Sequence, residues 1–251
     1  MSSANKLQGL RGRLVVEPTP EAIARRLADD LIVSLQQRIG QVGTAHFALS
    51  GGGSPQGLYH LLATDGRYAA GDWAHTHLWQ VDERCVADDD FRRNFRMIRS
   101  VLVEKAPIPA AQVHSMPVGL PDGDRSYEAD LRRALAGSSE GRLDVVLLGI
   151  GPETHTASLF PHSPALAESQ RWVRFNDGET VAPPRPRMTL TFPVLCAARF
   201  LAVLVIGQAK HKALLEAASA PEDVQGHPAV GIRPAEDSRL VWYLDRAAAE
   251  G

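Results

Sequence analysis

The residues best suited to chemistry in this chain follow its most apolar stretches. Ala45–Leu49 runs into Ser50-Gly51-Gly52-Gly53-Ser54-Pro55. Consecutive glycines free the backbone for conformations barred to other residues. Their N–H groups can converge on an anion where a helix begins just beyond them. The stretch has no Walker-type GxxxxGK[ST] pattern, and taken alone it fits a flexible turn as well as an anion site. His77–Val81 runs into Asp82-Glu83-Arg84, an acid pair beside a cation. Such a trio suits hydroxyls and a phosphate or carboxylate, although an isolated one is more simply an exposed charge run. Leu143–Leu148 runs into Gly149-Ile150-Gly151-Pro152-Glu153-Thr154-His155-Thr156. This opens like a dinucleotide fingerprint, but Thr154 occupies the third glycine position and Pro152 sits early in the turn, which argues against a nucleotide site. What remains is a small-residue turn that delivers Glu153 and His155 to the end of a buried strand. Histidine is the side chain best suited to act as a base near neutral pH; a His packed in or capping the turn is the plainer alternative.

Two further cations follow the same rule. Arg187 starts a β-rich run behind a proline-rich loop, and Lys210 lies in the first turn of a helix after Gly207. A cation at a helix amino terminus opposes the macrodipole, and becomes sensible when an anion sits between them. Arg84, Arg187, Lys210 and the glycine loop together predict an anionic, phosphate-bearing ligand.

The elements that must position these residues alternate between strand and helix. Strands are predicted over Arg13–Val16, Ala45–Leu49, His77–Val81, Val113–Met116 (weakly), Leu143–Leu148, Arg187–Phe192, Phe200–Ile206 and Val241–Leu244. A helix opens at Pro18-x-Pro20 and runs through Arg38, with Ile23, Leu27, Leu31 and Leu35 on one face. Gly40 is placed to stop it. Further helices are predicted over Gln56–Ala63, Asn94–Lys105, Arg125–Ala136 and Gln208–Ala218. Strands apolar on both faces that alternate with helices argue for a parallel sheet covered on both sides. The proline-rich stretches Asn176–Pro186 and Ser219–Asp237 read as surface excursions rather than linkers, so residues 1–251 are expected to form a single domain.

Bulk properties narrow the class. The 251 residues carry 27 Lys and Arg against 29 Asp and Glu, a net charge of −2, which argues against a nucleic-acid partner. No apolar stretch is long enough for a signal peptide or a membrane span, so a soluble cytoplasmic protein is expected. Cys85 and Cys196 lie far apart and make neither a disulfide framework nor a zinc site. His75 and His77 would share a strand face, but without a carboxylate or Cys cluster they read as an unliganded pair.

Taken in order, these motifs resemble the 6-phosphogluconolactonase family, within the superfamily of glucosamine-6-phosphate deaminases and ribose-5-phosphate isomerases. The resemblance spans nearly the whole chain. It rests on Leu49–Pro55, Asp72-Trp73, Val81–Val86, Asn94, Gly149–Pro161, Arg187–Thr191, Gly207-x-x-Lys210 and Trp242-x-x-Asp245. The run His155-Thr-Ala-Ser-Leu-Phe-Pro161 is its most specific part. It implies a three-layer αβα fold, a mostly parallel sheet with helices on both faces. It also implies hydrolysis of a phosphorylated sugar lactone, with no metal and no organic cofactor, by a monomer or small homo-oligomer. By the family pattern His155 is the general base, supported by Glu153 and Asp82. Ser50, Gly51, Gly52, Gly53, Ser54, Glu83, Arg84, Asn94, Arg187 and Lys210 bind the substrate and its phosphate.

One departure stands out. The family usually has Asp-Gly where this chain has Glu153-Thr154. Thr disfavours the positive φ that Gly takes freely, so either the turn does without positive φ or His155 is displaced. Two alternative functions go with the resemblance. One is an isomerase or deaminase on the same fold, set against by Ser158-Leu159-Phe160-Pro161 where deaminases carry an Asn-Glu-Pro run. The other is a non-catalytic sugar-phosphate binder.

Overall fold

A computed structural model describes residues 7–69, 72–138 and 140–251. Residues 1–6, the start of the polar amino-terminal stretch, lie outside the described residues. Seven strands form one parallel sheet: β1 (Arg13–Glu17), β2 (Ala45–Leu49), β3 (Thr76–Gln80), β5 (Val113–His114), β6 (Val145–Leu148), β9 (Phe200–Val205) and β10 (Arg239–Asp245), in the order β1-β10-β9-β6-β2-β3-β5. Strands β4 (Asp82–Arg84), β7 (Val173–Asn176) and β8 (Arg187–Leu190) form a separate antiparallel sheet, in the order β4-β8-β7.

Alternation along the parallel strands splits the core in two. Phe47, Leu49, Leu147, Ala202, Leu204 and Tyr243 face α1 (Pro20–Val42) and α2 (Gln56–Thr64). Ala48, Val146, Leu148, Val203 and Trp242 face the other way, toward Leu131 and Leu135 of α5 (Gly123–Ser138), Leu214 of α7 (His211–Ser219) and Met188 and Leu190 of the small sheet. Between α2 and α5 lie the short helices α3 (Gly66–Ala69) and α4 (Asn94–Ile98); α6 (Phe192–Ala197) precedes β9, and α8 (Arg246–Glu250) ends the chain. The result is the expected three-layer αβα arrangement, with an added antiparallel layer that the sequence reading did not anticipate.

Several expectations shift. Helix α1 begins as predicted: the Thr19 hydroxyl accepts from the Ala22 N–H at 3.2 Å, and Pro20 occupies its first turn. It runs past Gly40 to Val42, however, and Gly43, at φ +84°, is the residue that ends it, its N–H reaching Ile39 O at 2.7 Å. Left-handed backbone at the cap, not a glycine one turn earlier, terminates the helix. The predicted strand Arg187–Phe192 stops at Leu190, because Pro193 sits in the first turn of α6. Strand β7 was missed, and the Asn176–Pro186 excursion is the connection of a β7–β8 hairpin. The helix over Asn94–Lys105 is α4 followed by a π-helical turn, Arg99–Val103. His75 lies in a tight turn, Trp73–His75, so it does not share a strand face with His77. His77 instead approaches His114 of β5, Nδ1 to Nε2 at 2.9 Å.

Candidate active site

A cavity of about 280 Å³ opens at the carboxyl ends of β2, β6 and β9, walled on one side by β4 and β8. This is where an open parallel sheet collects its functional residues. From β2 come Ser50, Gly51, Gly52, Gly53 and Ser54, all lining it. The Ser50 hydroxyl donates to Leu147 O at 2.8 Å, and its carbonyl accepts from the Tyr59 hydroxyl at 2.6 Å, which pins the start of the loop. Gly52 holds φ +92°. Gly51 is required for space: a Cβ there would lie 1.9 Å from Oδ1 of Asn94. Asn94 lines the cavity from the start of α4, and its side-chain amide donates to Asp82 O at 3.0 Å.

The turn after β6 carries His155 on its rim. Its side chain is 22% exposed and Nδ1 lies 3.0 Å from Glu153 Oε2. With the carboxylate accepting the Nδ1 proton, Nε2 keeps its lone pair. Burial lowers the imidazole's affinity for protons, and the bond and charge of Glu153 offset this only in part, so the ring is neutral at pH 7. Burial alone would raise the Glu153 carboxyl, but its own backbone N–H, His155 and Lys210 outweigh that and hold it low. The ring lies over Gly151, where a Cβ would come within 2.0 Å of it, and packs against Phe160 with centroids 4.2 Å apart. Thr154 adopts φ +61°. The turn therefore does use positive φ, a β-branched residue supplies it, and His155 still lines the cavity.

The three cations converge on the same cavity. Lys210 closes the turn Gln208–Lys210 before α7, and its Nζ donates to Ile150 O at 2.8 Å. Burial lowers its proton affinity, with Glu153 opposing. Arg84 donates through Nη1 to Arg92 O at 2.6 Å, while its Nε is buried without a hydrogen-bond partner. Arg187 is tied by Nε to Pro184 O at 2.7 Å and by Nη2 to Ala182 O at 3.0 Å, which makes the proline-rich loop its holder.

Asp82 also lines the cavity, its Oδ2 accepting from the Ser158 hydroxyl at 2.6 Å. Two expected site residues do not line it. Glu153 accepts from His155 Nδ1 at 3.0 Å and also bears electrostatically on Lys210. Glu83, expected to bind substrate, is fully buried and turned inward. It accepts from the side chain of Gln80 and from the backbone N–H groups of Arg84, Asn94 and Phe95 at 2.7–2.8 Å, and Arg93 lies 3.7 Å away. Strand alternation sends Glu83 to the opposite side from Asp82 and Arg84, so it anchors the start of α4. Burial pushes its carboxyl up despite those four donors. Phe160, which packs on the imidazole, is not among the expected site residues; its signal is an aromatic close after the His on the same turn. Ser158, which in the sequence marks only the contrast with the deaminases' Asn-Glu-Pro run, is the partner of Asp82.

Among the described residues no group of three or more His, Cys, Asp or Glu is placed to hold a metal ion, and no helix is long and apolar enough to cross a membrane. Comparison with known proteins adds three relatives. The chain is 36% identical over 222 residues to a 6-phosphogluconolactonase of Synechocystis, covering 86% of this chain and 88% of that one. It is 36% identical over 242 residues to the rabbit GDH/6PGL endoplasmic bifunctional protein, covering 94% of this chain but only 30% of that longer protein. A solved 6-phosphogluconolactonase from Thermotoga maritima superposes with a TM-score of 0.77 at 25% identity, covering 93% of this chain and 99% of that one. The family model for glucosamine-6-phosphate isomerases/6-phosphogluconolactonase matches residues 18–242, and the chain belongs to that family.

Proposed function

We propose that this chain hydrolyses 6-phospho-D-glucono-1,5-lactone to 6-phosphogluconate, the second step of the oxidative pentose phosphate pathway. The observation that carries this reading is a neutral His155, backed by Glu153, on a cavity rimmed by Arg84, Arg187, Lys210 and the glycine loop. The cations and the loop N–H groups bind the phosphate and the oxygen-rich parts of the sugar. Asp82, held by Ser158, takes a sugar hydroxyl. Nε2 of His155 removes a proton from water as the water oxygen bonds to C1. The tetrahedral intermediate then collapses, the bond from C1 to the ring oxygen breaks, and that oxygen takes the proton from the imidazolium. Glu153 holds the ring's orientation and its transient charge. A cytoplasmic location and a single domain over residues 1–251 belong to the same proposal; in support of the latter, both halves of the core share one seven-stranded sheet.

The test is acid release from freshly prepared lactone against a no-enzyme blank, with His155→Ala alongside. Release no faster than the blank overturns the reading in favour of a sugar-phosphate binder. The family also contains isomerases acting on glucosamine 6-phosphate. The run before Pro161 is Ser158-Leu159-Phe160, with no carboxylate to assist ring opening, so glucosamine 6-phosphate should release no ammonia.

A further inference from the structure

Thr154 is an unusual residue for its backbone. A β-branched side chain at positive φ is a genuine outlier and persists only where its surroundings hold it. Its N–H is held within the turn by Gly151 O at 3.0 Å, and its hydroxyl and carbonyl also meet one remote stretch, residues 226–229. The Thr154 hydroxyl donates to Glu153 O at 2.6 Å, with Gly226 O at 3.4 Å, and the ring Nδ1 of His227 lies 3.1 Å from the same hydroxyl. With the hydroxyl proton on a carbonyl, Nδ1 of His227 is the donor. Thr154 O in turn accepts from the Ala229 N–H at 2.9 Å, and Thr154 itself is 1% exposed. The remote stretch is itself well braced. Asp223 accepts from the N–H groups of Gly226 and, through its carbonyl, of His227, while Pro228, Ala229, Val230 and Gly231 are buried against the core.

From this geometry we infer that Thr154 and His227 form a positioning pair for His155. The contacts from residues 226–229 impose the backbone of residue 154, and that backbone aims the neighbouring imidazole at the cavity and its Nδ1 at Glu153. A glycine at this position would take the same φ without help. This chain instead uses a hydroxyl and a second histidine brought from more than seventy residues away. The inference rests on His155 as the reacting base, and it adds to that reading the residues that set the base's aim.

Four variants test it: Thr154→Val, Thr154→Ser, Thr154→Gly and His227→Ala, the last also made in the Thr154→Gly background. Thr154→Val keeps the shape and loses the hydroxyl. It should lower kcat by roughly ten- to a hundredfold, since small misplacements of a reacting group cost on that order, while KM changes less than about twofold. Thr154→Ser restores the hydroxyl and should recover kcat. His227→Ala should lower kcat in the native background and change it less than about twofold in Thr154→Gly, where the backbone needs no support. The imidazole C–H proton signal of His155, assigned by its loss in His155→Ala, should move in Thr154→Val and His227→Ala and stay in place in Thr154→Ser. Equal losses from His227→Ala in both backgrounds, or unchanged kcat and an unmoved His155 signal in the folded single variants, overturn the positioning pair. Turnover surviving in His155→Ala overturns instead the assignment of the base, while the His155 signal in the other variants reports on the ring's position independently.

Discussion

Arg84 and Arg187 sit directly opposite each other across the antiparallel pair β4 and β8. Like charges in register repel, and burial already disfavours the charged form of Arg187. Backbone carbonyls of Arg92, Ala182 and Pro184 relieve part of that cost. An anion bound beside both arginines would relieve the rest. Adding 6-phosphogluconate at a hundred times its Kd should stabilise the fold by about 2.7 kcal/mol, raising Tm by several degrees for a chain of this size. The shift should shrink in Arg84→Ala and in Arg187→Ala. A thermal melt with an undiminished shift in the double variant would place the anion elsewhere.

His155→Ala should reduce kcat by roughly 10²- to 10⁴-fold, the usual yield of a general base, with an unchanged melting curve. The acid limb of the kcat/KM profile should lie below the ordinary histidine value near 6.5, because burial lowers the ring's proton affinity. Glu153 opposes that shift, so Glu153→Gln should move the limb further toward acid and lower kcat. A limb that moves upward in Glu153→Gln would mean that another group governs it.

Gly151→Ala places a methyl about where the His155 ring now lies, 2.0 Å from Cε1. The ring must leave its position, and kcat should fall about a hundredfold while KM and Tm stay close to native. Crystals or NMR showing an unmoved ring would contradict the contact.

His46, His77 and His114 stack across three adjacent strands, with ring centroids 4.8 and 5.2 Å apart. Nδ1 of His46 accepts from the Trp79 indole N–H at 3.1 Å, so protonating that nitrogen breaks the bond. Burial and mutual repulsion lower His46 to about 3 and His114 to about 4. Both pKa values are depressed in the folded state, so the unfolded chain binds more protons below pH 6.5, and stability falls as pH drops from there toward 4. The loss should be on the order of a few kcal/mol. Denaturant titrations at pH 7 and pH 4.5 measure it, and His46→Gln should flatten the dependence.

The parallel sheet was legible in the sequence because its central strands are apolar on both faces and end in glycine or polar residues; Leu143–Leu148 followed by Gly149 is the clearest case. The small antiparallel sheet was not. Asp82–Arg84 is too short and too charged to read as a strand, and its pairing with Arg187–Leu190 joins segments a hundred residues apart. At the site, spacing after strands located His155, Lys210 and the glycine loop, since strand ends dictate where those side chains emerge. Glu83 misled because its neighbours Asp82 and Arg84 face the cavity while the alternation of a single residue sends it inward. Thr154 misled for a different reason. Local preference spoke against positive φ, and the contacts that impose it come from His227 and Ala229, which no local pattern ties to the turn.

The strands that carry His155, the glycine loop and Lys210 each have hydrogen-bonded neighbours on both sides, whereas Arg84 sits on an edge strand of a three-stranded sheet. Amide exchange should therefore divide the cavity wall. The backbone of β2, β6 and β9 opens only with the whole molecule, and that of β4 opens through smaller excursions at lower cost. His155, the glycine loop and Lys210 are fixed to the larger sheet, and one of the paired arginines is fixed to a part that yields. A bound anion, by tying the two together, should slow exchange in β4 more than anywhere in the larger sheet.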